Sequence, residues 1–329
     1  MQRPRNKPPG RRPSVPRSGK HLTRESRPAA APEPVAHQRS LIRVCGIAAV
    51  EALFACDAGR IERLYFAAEL KDRLTRLCRT LAQARKPYRQ LDADALTRVA
   101  GTILHGHVVA VARPPPVALF DAAAATEWAR DGRLLLILDG IGNPHNLGAI
   151  ARSAAFFGVA RLLLADRPEQ AQPSDASYRV AEGGLEHLRL YRARLADAVP
   201  ALKSAYRVIG TAPAGGAPVP ARTGKRPVAL ILGGEETGLD AATLALCDEI
   251  VAIPGSGRVQ SLNVAAAAAI LIYAVSSRSA DARWPASRRS NSASRAADAS
   301  GVRSQWRSSS AAASKVDSAS RRGSRRNLP

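Results

Sequence analysis

Between residues 41 and 275 the apolar positions fall into two rhythms. LLLILD at 134–139 is an unbroken apolar run, the pattern of a strand covered on both faces of a parallel sheet. Further strands are predicted in ARLLLAD (160–166), YRVIGTAP (206–213), VALILGGEE (228–236) and EIVAIPG (249–255), and YRVAEGGLEHLRLYR (178–192) reads as a loop and a strand. Helices lie between them. In NPHNLGAIARSAAFFGV (143–159), a helix capped by Asn146 carries an inward stripe of Leu147, Ile150, Ala151 and Ala154 and stops at Gly158. Another helix is predicted in ADAVPALKSAY (196–206) and one between the last two strands. The final helix starts at Asn263 and runs through alanines 265–269 into Ile270, Leu271 and Ile272, apolar on nearly every face and so expected to be buried. Strands alternating with helices predict an α/β fold with a mostly parallel sheet covered on both sides.

Upstream, IRVCGIAAVEALFA (42–55), IERLYFA (61–67), KDRLTRLCRTLAQAR (71–85) and HGHVVAVARPPP (105–116) predict a compact α/β unit whose last strand the prolines 114–116 must end. The expected organisation is a tail at 1–40, a first domain at 41–113, a linker with one short helix at 114–130, a second domain at 131–275 and a tail at 276–329.

Composition sharpens this division. Residues 1–40 hold ten Lys/Arg against two Asp/Glu, and 276–329 hold twelve against three, so +8 and +9 of the total +22 lie in the tails and +5 between them. The first tail carries eight prolines and the second is rich in Ser, Ala and Arg, so both are expected to be disordered for want of apolar surface to bury. No apolar run reaches the ~18 residues of a membrane span, and no apolar stretch follows the basic N-terminus as a secretory signal requires. The four cysteines show no C-x-x-C pairing, which predicts neither a metal site nor a disulfide framework and fits the cytoplasm.

Three loops follow predicted strands at their carboxyl ends, where open α/β sheets bind ligands. They are GNPHNLGAIAR (142–152), LGGEETGL (232–239) and IPGSGRVQSLN (253–263). Arg152 falls off the inward stripe of its helix, free for a cleft or simply solvated. Ser261 and Asn263 are ordinary helix-capping types, yet they stand where a glycine-rich loop meets a packed helix. The glycines of the second and third loops permit a ligand to approach the main chain. A dinucleotide-binding turn at LLLILDGIG is excluded because it lacks the third glycine and the acidic residue about twenty positions on.

NPHNLGAIARSAAFFG, LILGGEETGL and IPGSGRVQSLNVAAAAAI, in this order, resemble the three motifs of the SpoU (TrmH-like) RNA 2′-O-ribose methyltransferases, over about 131–275. Residues 41–113 resemble that family's small substrate-binding domain, related to the ribosomal protein L30e fold. The AEGGLEH segment, Ala181 to His187, marks a subgroup. The resemblance implies a parallel sheet with a deep C-terminal trefoil knot, S-adenosylmethionine as cofactor, tRNA or ribosomal RNA as substrate and a homodimer. It implies cofactor contacts at Gly233, Ile253 and Leu262, and catalytic roles for Asn146, Arg152, Glu235, Ser261 and Asn263. The family commonly has Asp at the position of Asn143, Met at that of Gly255 and Glu at that of Gln260. The alternative is an RNA-binding protein that keeps the fold without the activity.

The tails offer charge with only Trp284 and Trp306 as stacking groups. Such charge binds phosphates, releases counterions and carries no sequence readout. A chain trimmed to 41–275 is therefore expected to bind RNA more weakly, with a shallower salt dependence, while modifying the same nucleotide. Titrations at several salt concentrations check this, and an unchanged slope would make the tails bystanders.

Overall fold

The computed structural model describes residues 41–213, 215–218 and 226–276, so both tails, and the disorder expected of them, lie outside the described residues. The chain begins with β1 (Ile42–Cys45), α1 (Ile47–Asp57), β2 (Ile61–Phe66), α2 (Thr75–Gln83), β3 (Tyr88–Gln90), α3 (Ala93–Ala100) and β4 (Val108–Ala112). These strands form a sheet in the order β1-β4-β2-β3. It is antiparallel where β4 meets β1 and β2, and parallel between β2 and β3.

The chain continues through β5 (Val117–Leu119), α4 (Ala122–Ala129), β6 (Leu135–Asp139), α5 (Pro144–Phe156), β7 (Arg161–Ala165), α6 (Asp175–Ala181) and β8 (Arg189–Ala193). Then follow α7 (Leu195–Lys203), β9 (Arg207–Thr211), β10 (Ala217–Pro218), β11 (Val228–Gly233), α8 (Ala241–Leu246), β12 (Glu249–Ala252) and α9 (Val264–Ser276). Their eight strands line up as β10-β12-β9-β11-β6-β7-β8-β5, every neighbouring pair parallel.

The two-residue period of a strand sends alternate side chains to opposite faces. On β6, Leu136 and Leu138 join the core beneath α5 and α9, while Leu135 and Ile137 join the one beneath α4 and α7. All five β6 residues are buried, which is why the run shows no polar alternation.

Three expectations need correction. The stretch 114–130 holds its expected short helix, α4, which packs on α7, but it also supplies β5, the edge strand of the large sheet against β8. The segment before β8 contains a helix, α6, that starts after Ser174; the Ser177 hydroxyl accepts from the Ser174 N–H (2.8 Å) and donates to its carbonyl (2.9 Å). That reciprocal turn involves only small polar residues, so no apolar period announces it. Finally, α9 is not buried all round. Val264, Ala268, Leu271, Ile272 and Val275 face inward, whereas Ala266, Ile270 and Tyr273 are exposed among the described residues.

The two sheets share one core: Val50, Leu53 and Leu64 of the first unit cluster with Leu136, Ile150 and Leu164 of the second. The seam also buries a charge pair. Arg60 donates from Nη1 to Glu186 (2.6 Å), from Nη2 to the Tyr178 hydroxyl (3.0 Å) and from Nε to the Arg113 carbonyl (3.0 Å). Tyr178 in turn donates to Glu186 (2.7 Å). Burial and the adjacent carboxylate push the Tyr178 phenol well above its ordinary pKa, so it stays a donor. Nearer the surface, Arg43 pairs with Asp175 at 2.9 Å across the same seam.

With side chains only 7% and 2% exposed, the Arg60–Glu186 pair has no water to fall back on. Removing one partner of such a pair leaves an uncompensated buried charge. Glu186→Ala is expected to cost about 3–5 kcal/mol in denaturant unfolding, and Glu186→Gln, which keeps the hydrogen-bonding shape, distinctly less.

Candidate active site

β6 and β11 are neighbours in register, with Gly233 opposite Asp139, so the first two loops leave the sheet side by side. The contact between them is main chain on main chain. A Cβ on Gly234 would lie 2.5 Å from the Gly140 carbonyl oxygen, and one on Gly233 2.3 Å from the Gly238 carbonyl carbon. No larger residue fits at either position. In the third loop Gly255 has open space where its side chain would be, and Gly257 takes a positive φ of 76° that a Cβ would strain.

The third loop starts two strands away, since β12 pairs with β9 and not with β11. It returns over the carboxyl ends of the strands to start α9, which packs on α5 and β11. There Asn263 makes four contacts. Its Oδ1 accepts from Ala265 N (2.9 Å) and Ala266 N (3.4 Å), capping α9, while its Nδ2 donates to Asn146 Oδ1 (3.1 Å) and Glu235 Oε1 (3.0 Å). Asn146 Nδ2 donates to the same Glu235 oxygen. One residue from each loop thus meets in a single hydrogen-bonded cluster.

Asn146 is free for this because it is not the cap of α5. Asn143 caps the helix, accepting from His145 N at 2.8 Å, and Pro144 takes the first helical position, where its missing N–H costs nothing. The predicted stripe of Leu147, Ile150, Ala151 and Ala154 is fully buried.

Arg152 does not join the cluster. It lies six residues along α5, about 9 Å down the axis. Its Nη2 pairs with Glu182 Oε2 at 2.8 Å, both side chains about half exposed (55% and 54%). Ser261 is exposed, and among the described residues no hydrogen bond ties it to Asn146, Glu235 or Asn263. Ile253 is half-buried against the core, whereas Leu262 is 47% exposed.

Supporting charges escaped the sequence reading. Asp139, buried at the end of β6, is 2.8 Å from Arg167 Nε, and Arg167 Nη2 reaches Asp240 at 2.6 Å. Burial raises the Asp139 pKa, with Arg167 pulling the other way. Asp240, held first by the Thr243 backbone N–H and then by Arg167, is lowered to about 2. Gln170 pins the first loop by accepting from Ile141 N (3.2 Å) and donating to its carbonyl (3.3 Å). Neither these groups nor Glu182 stood out, because isolated acids and amides have no periodic signature; the glycine pair after Glu182 was the one local sign.

The site fits a cofactor held through main chain and apolar contact. Space opens at Gly255, and Leu262 and Val259 expose apolar surface in the same loop. S-adenosylmethionine, an adenine and a methionine joined through a sulfonium, matches that character. Among the described residues no group of three or more His, Cys, Asp or Glu is arranged to hold a metal.

Comparisons with known proteins identify the family. Residues 133–273 match the SpoU rRNA methylase family, and 43–118 match the RNA 2′-O ribose methyltransferase substrate-binding family. The chain is 33% identical over 236 residues to the 23S rRNA (guanosine-2′-O-)-methyltransferase RlmB of Acinetobacter baylyi, spanning 69% of this chain and 94% of that protein. It is 34% identical to RlmB of Ralstonia nicotianae, over 69% and 92% of the two chains. The crystal structure of the SpoU methyltransferase AviRb from Streptomyces viridochromogenes, in complex with AdoMet, superposes with a TM-score of 0.57 at 26% identity, covering 73% of this chain and 90% of that one. A chain that matches both families in sequence and carries their parallel sheet belongs to the SpoU methyltransferases.

Proposed function

We propose that the protein transfers a methyl group from S-adenosylmethionine to a ribose 2′-hydroxyl of ribosomal RNA, at a guanosine. The RNA 2′-O-methyltransferase activity follows from family membership, and the finer substrate rests on the two RlmB relatives, whose names specify 23S rRNA and guanosine. The observation that carries an active enzyme, over a silent RNA-binding fold, is the three-loop cluster of Asn146, Glu235 and Asn263.

When bound, the cofactor supplies an electrophilic methyl group; Gly233, Ile253 and Leu262 are the positions that would hold it. The 2′-hydroxyl is a poor nucleophile and must lose its proton, in this reading to water, as it is methylated. Arg152 cannot serve as the base in its ordinary state, because a guanidinium stays protonated. Its role in this reading is to hold an RNA phosphate and polarise the hydroxyl, with Ser261 orienting the ribose. Asn146 and Glu235 keep Asn263 and the cofactor loop in place. The first unit, 41–113, is read as the RNA-substrate-binding domain, which its family match supports.

The knot and the dimer belong to the same reading. That β12 lies beyond β9 while α9 docks back on α5 supports a knotted return. The exposed strip of Ala266, Ile270 and Tyr273, and the distance of Arg152 from the cluster on its own chain, support a homodimer in which Arg152 acts on the partner's site. Light scattering at micromolar concentration is expected to give twice the chain mass; a monomer would remove this part of the reading. No helix among the described residues is long and apolar enough to cross a membrane, and a cytoplasmic location goes with the ribosomal substrate.

Mapping 2′-O-methylation across total RNA is expected to lose one ribosomal signal on deletion of the gene. Arg152→Ala, at an exposed position, should leave the fold and lower turnover about 100-fold or more, the scale for a lost transition-state donor. Arg152→Lys keeps the charge but not the planar fork, and should recover little. Asn263→Ala should also abolish transfer, with an added stability loss of about 1 kcal/mol from the missing cap. Near-normal turnover of Arg152→Ala on the true substrate would reject the assignment.

A further inference from the structure

Glu182 stands in a conformation that its residue type disfavours. It ends α6 with φ 45° and ψ 43°, the left-handed region where a Cβ crowds the carbonyl and glycine is the usual occupant. The two glycines that follow are wedged on both sides. A Cβ on Gly183 would lie 2.8 Å from the Ala52 Cβ of α1, and one on Gly184 2.8 Å from the Cα of Arg152 itself. On the same side, a Cβ on Gly148 of α5 would come within 2.3 Å of the Ser177 carbonyl oxygen in α6. The turn is therefore held against α5 at residue 152 by contacts that no larger residue permits, and it delivers the Glu182 carboxylate to Arg152 Nη2 at 2.8 Å.

Stability does not account for this arrangement. Both partners are about half exposed, and an exposed ion pair is worth little. Glycine at 182 would relieve the backbone, so the strained glutamate retains the carboxylate at a cost to the fold. Strain that persists beside a functional group marks a positional requirement.

We propose that Glu182 is a positioning residue for methyl transfer: by engaging one nitrogen of the Arg152 guanidinium it fixes the plane of that group, leaving the Nε and Nη1 hydrogens for the RNA. The proposal rests on the reading that Arg152 acts on the substrate. Arginine's planar fork recognises oxyanions by direction as well as charge, so a freely rotating side chain would lose alignment more than attraction. Glu182 thus acts on kcat and leaves RNA binding nearly untouched.

The test uses the full chain with Glu182→Gln, Glu182→Gly and Arg152→Ala, measured for kcat, KM for RNA and Tm. Both Glu182 variants are expected to lose about 10- to 100-fold in kcat, the scale of a small misplacement at a reacting centre. KM for RNA should stay within about threefold, and the Tm of Glu182→Gly should be no lower than the parent's. Adding Glu182→Gln to Arg152→Ala should cause no further loss, since the two act as a unit. Unchanged kcat in both variants, while Arg152→Ala is inactive, would overturn this proposal and leave the role of Arg152 standing. A fall in KM with kcat intact would make Glu182 a competitor of the phosphate, and a lowered Tm in both variants would make it scaffold; either overturns it. An active Arg152→Ala would instead reject the underlying assignment.

Discussion

The side-chain amide of Asn263 is the constraint on which the site depends. Its oxygen ends the free N–H groups of α9, and its nitrogen holds Asn146 and Glu235. The loop that carries it leaves β12 and must pass two strand spacings, roughly 10 Å at 4.8 Å each, to stand over β11. Residues 254–263 are exposed along the way and gain little from burial. The loop is held at its ends, by pairing of β12 with β9 and by this amide. A hydrogen bond of this kind contributes about 0.5–1.5 kcal/mol, enough to favour one loop arrangement among many.

The loops can meet because what lies beneath them does not move independently. β6 and β11 leave the sheet in register, and the glycines at 233 and 234 let their ends close to main-chain contact. Asp139, buried beneath that contact, draws Arg167 and through it Asp240, so the ends of β6 and the start of α8 share one cation. The carboxylate of Asp240 stays ionised far below neutral pH, so this link persists across the physiological range.

The first unit is joined to this platform with equal rigidity. The common core and the Arg60–Tyr178–Glu186 network fix it to the 3₁₀ turn Gly184–His187, and the same segment carries Glu182 one turn earlier. AEGGLEH therefore has two duties. Its glycines let α1 and α5 approach, and its two acids face different arginines, Arg60 at the seam and Arg152 at the surface. The first unit and the three loops therefore sit on one packed core.

Much of this architecture was written in local pattern. Continuous apolar runs required buried parallel strands, the stripe of Leu147, Ile150, Ala151 and Ala154 set the inward face of α5, and the three motifs named the family. What depends on neighbours could not be read that way. The cap of α5 fell to Asn143 because Pro144 could open the helix behind it, which released Asn146 to the cluster. β5 directly follows a strand-ending proline run and becomes a strand only because β8 offers it an edge. The outer strip of α9 is as apolar as its inner face, so composition alone could not tell which side packs on α5. The partner of Arg152 was decided by glycines on two helices that meet only in three dimensions. Periodicity along a chain reports which residues leave water. Which of them meet depends on contacts between residues 28 to more than 100 positions apart, and only the folded packing determines those.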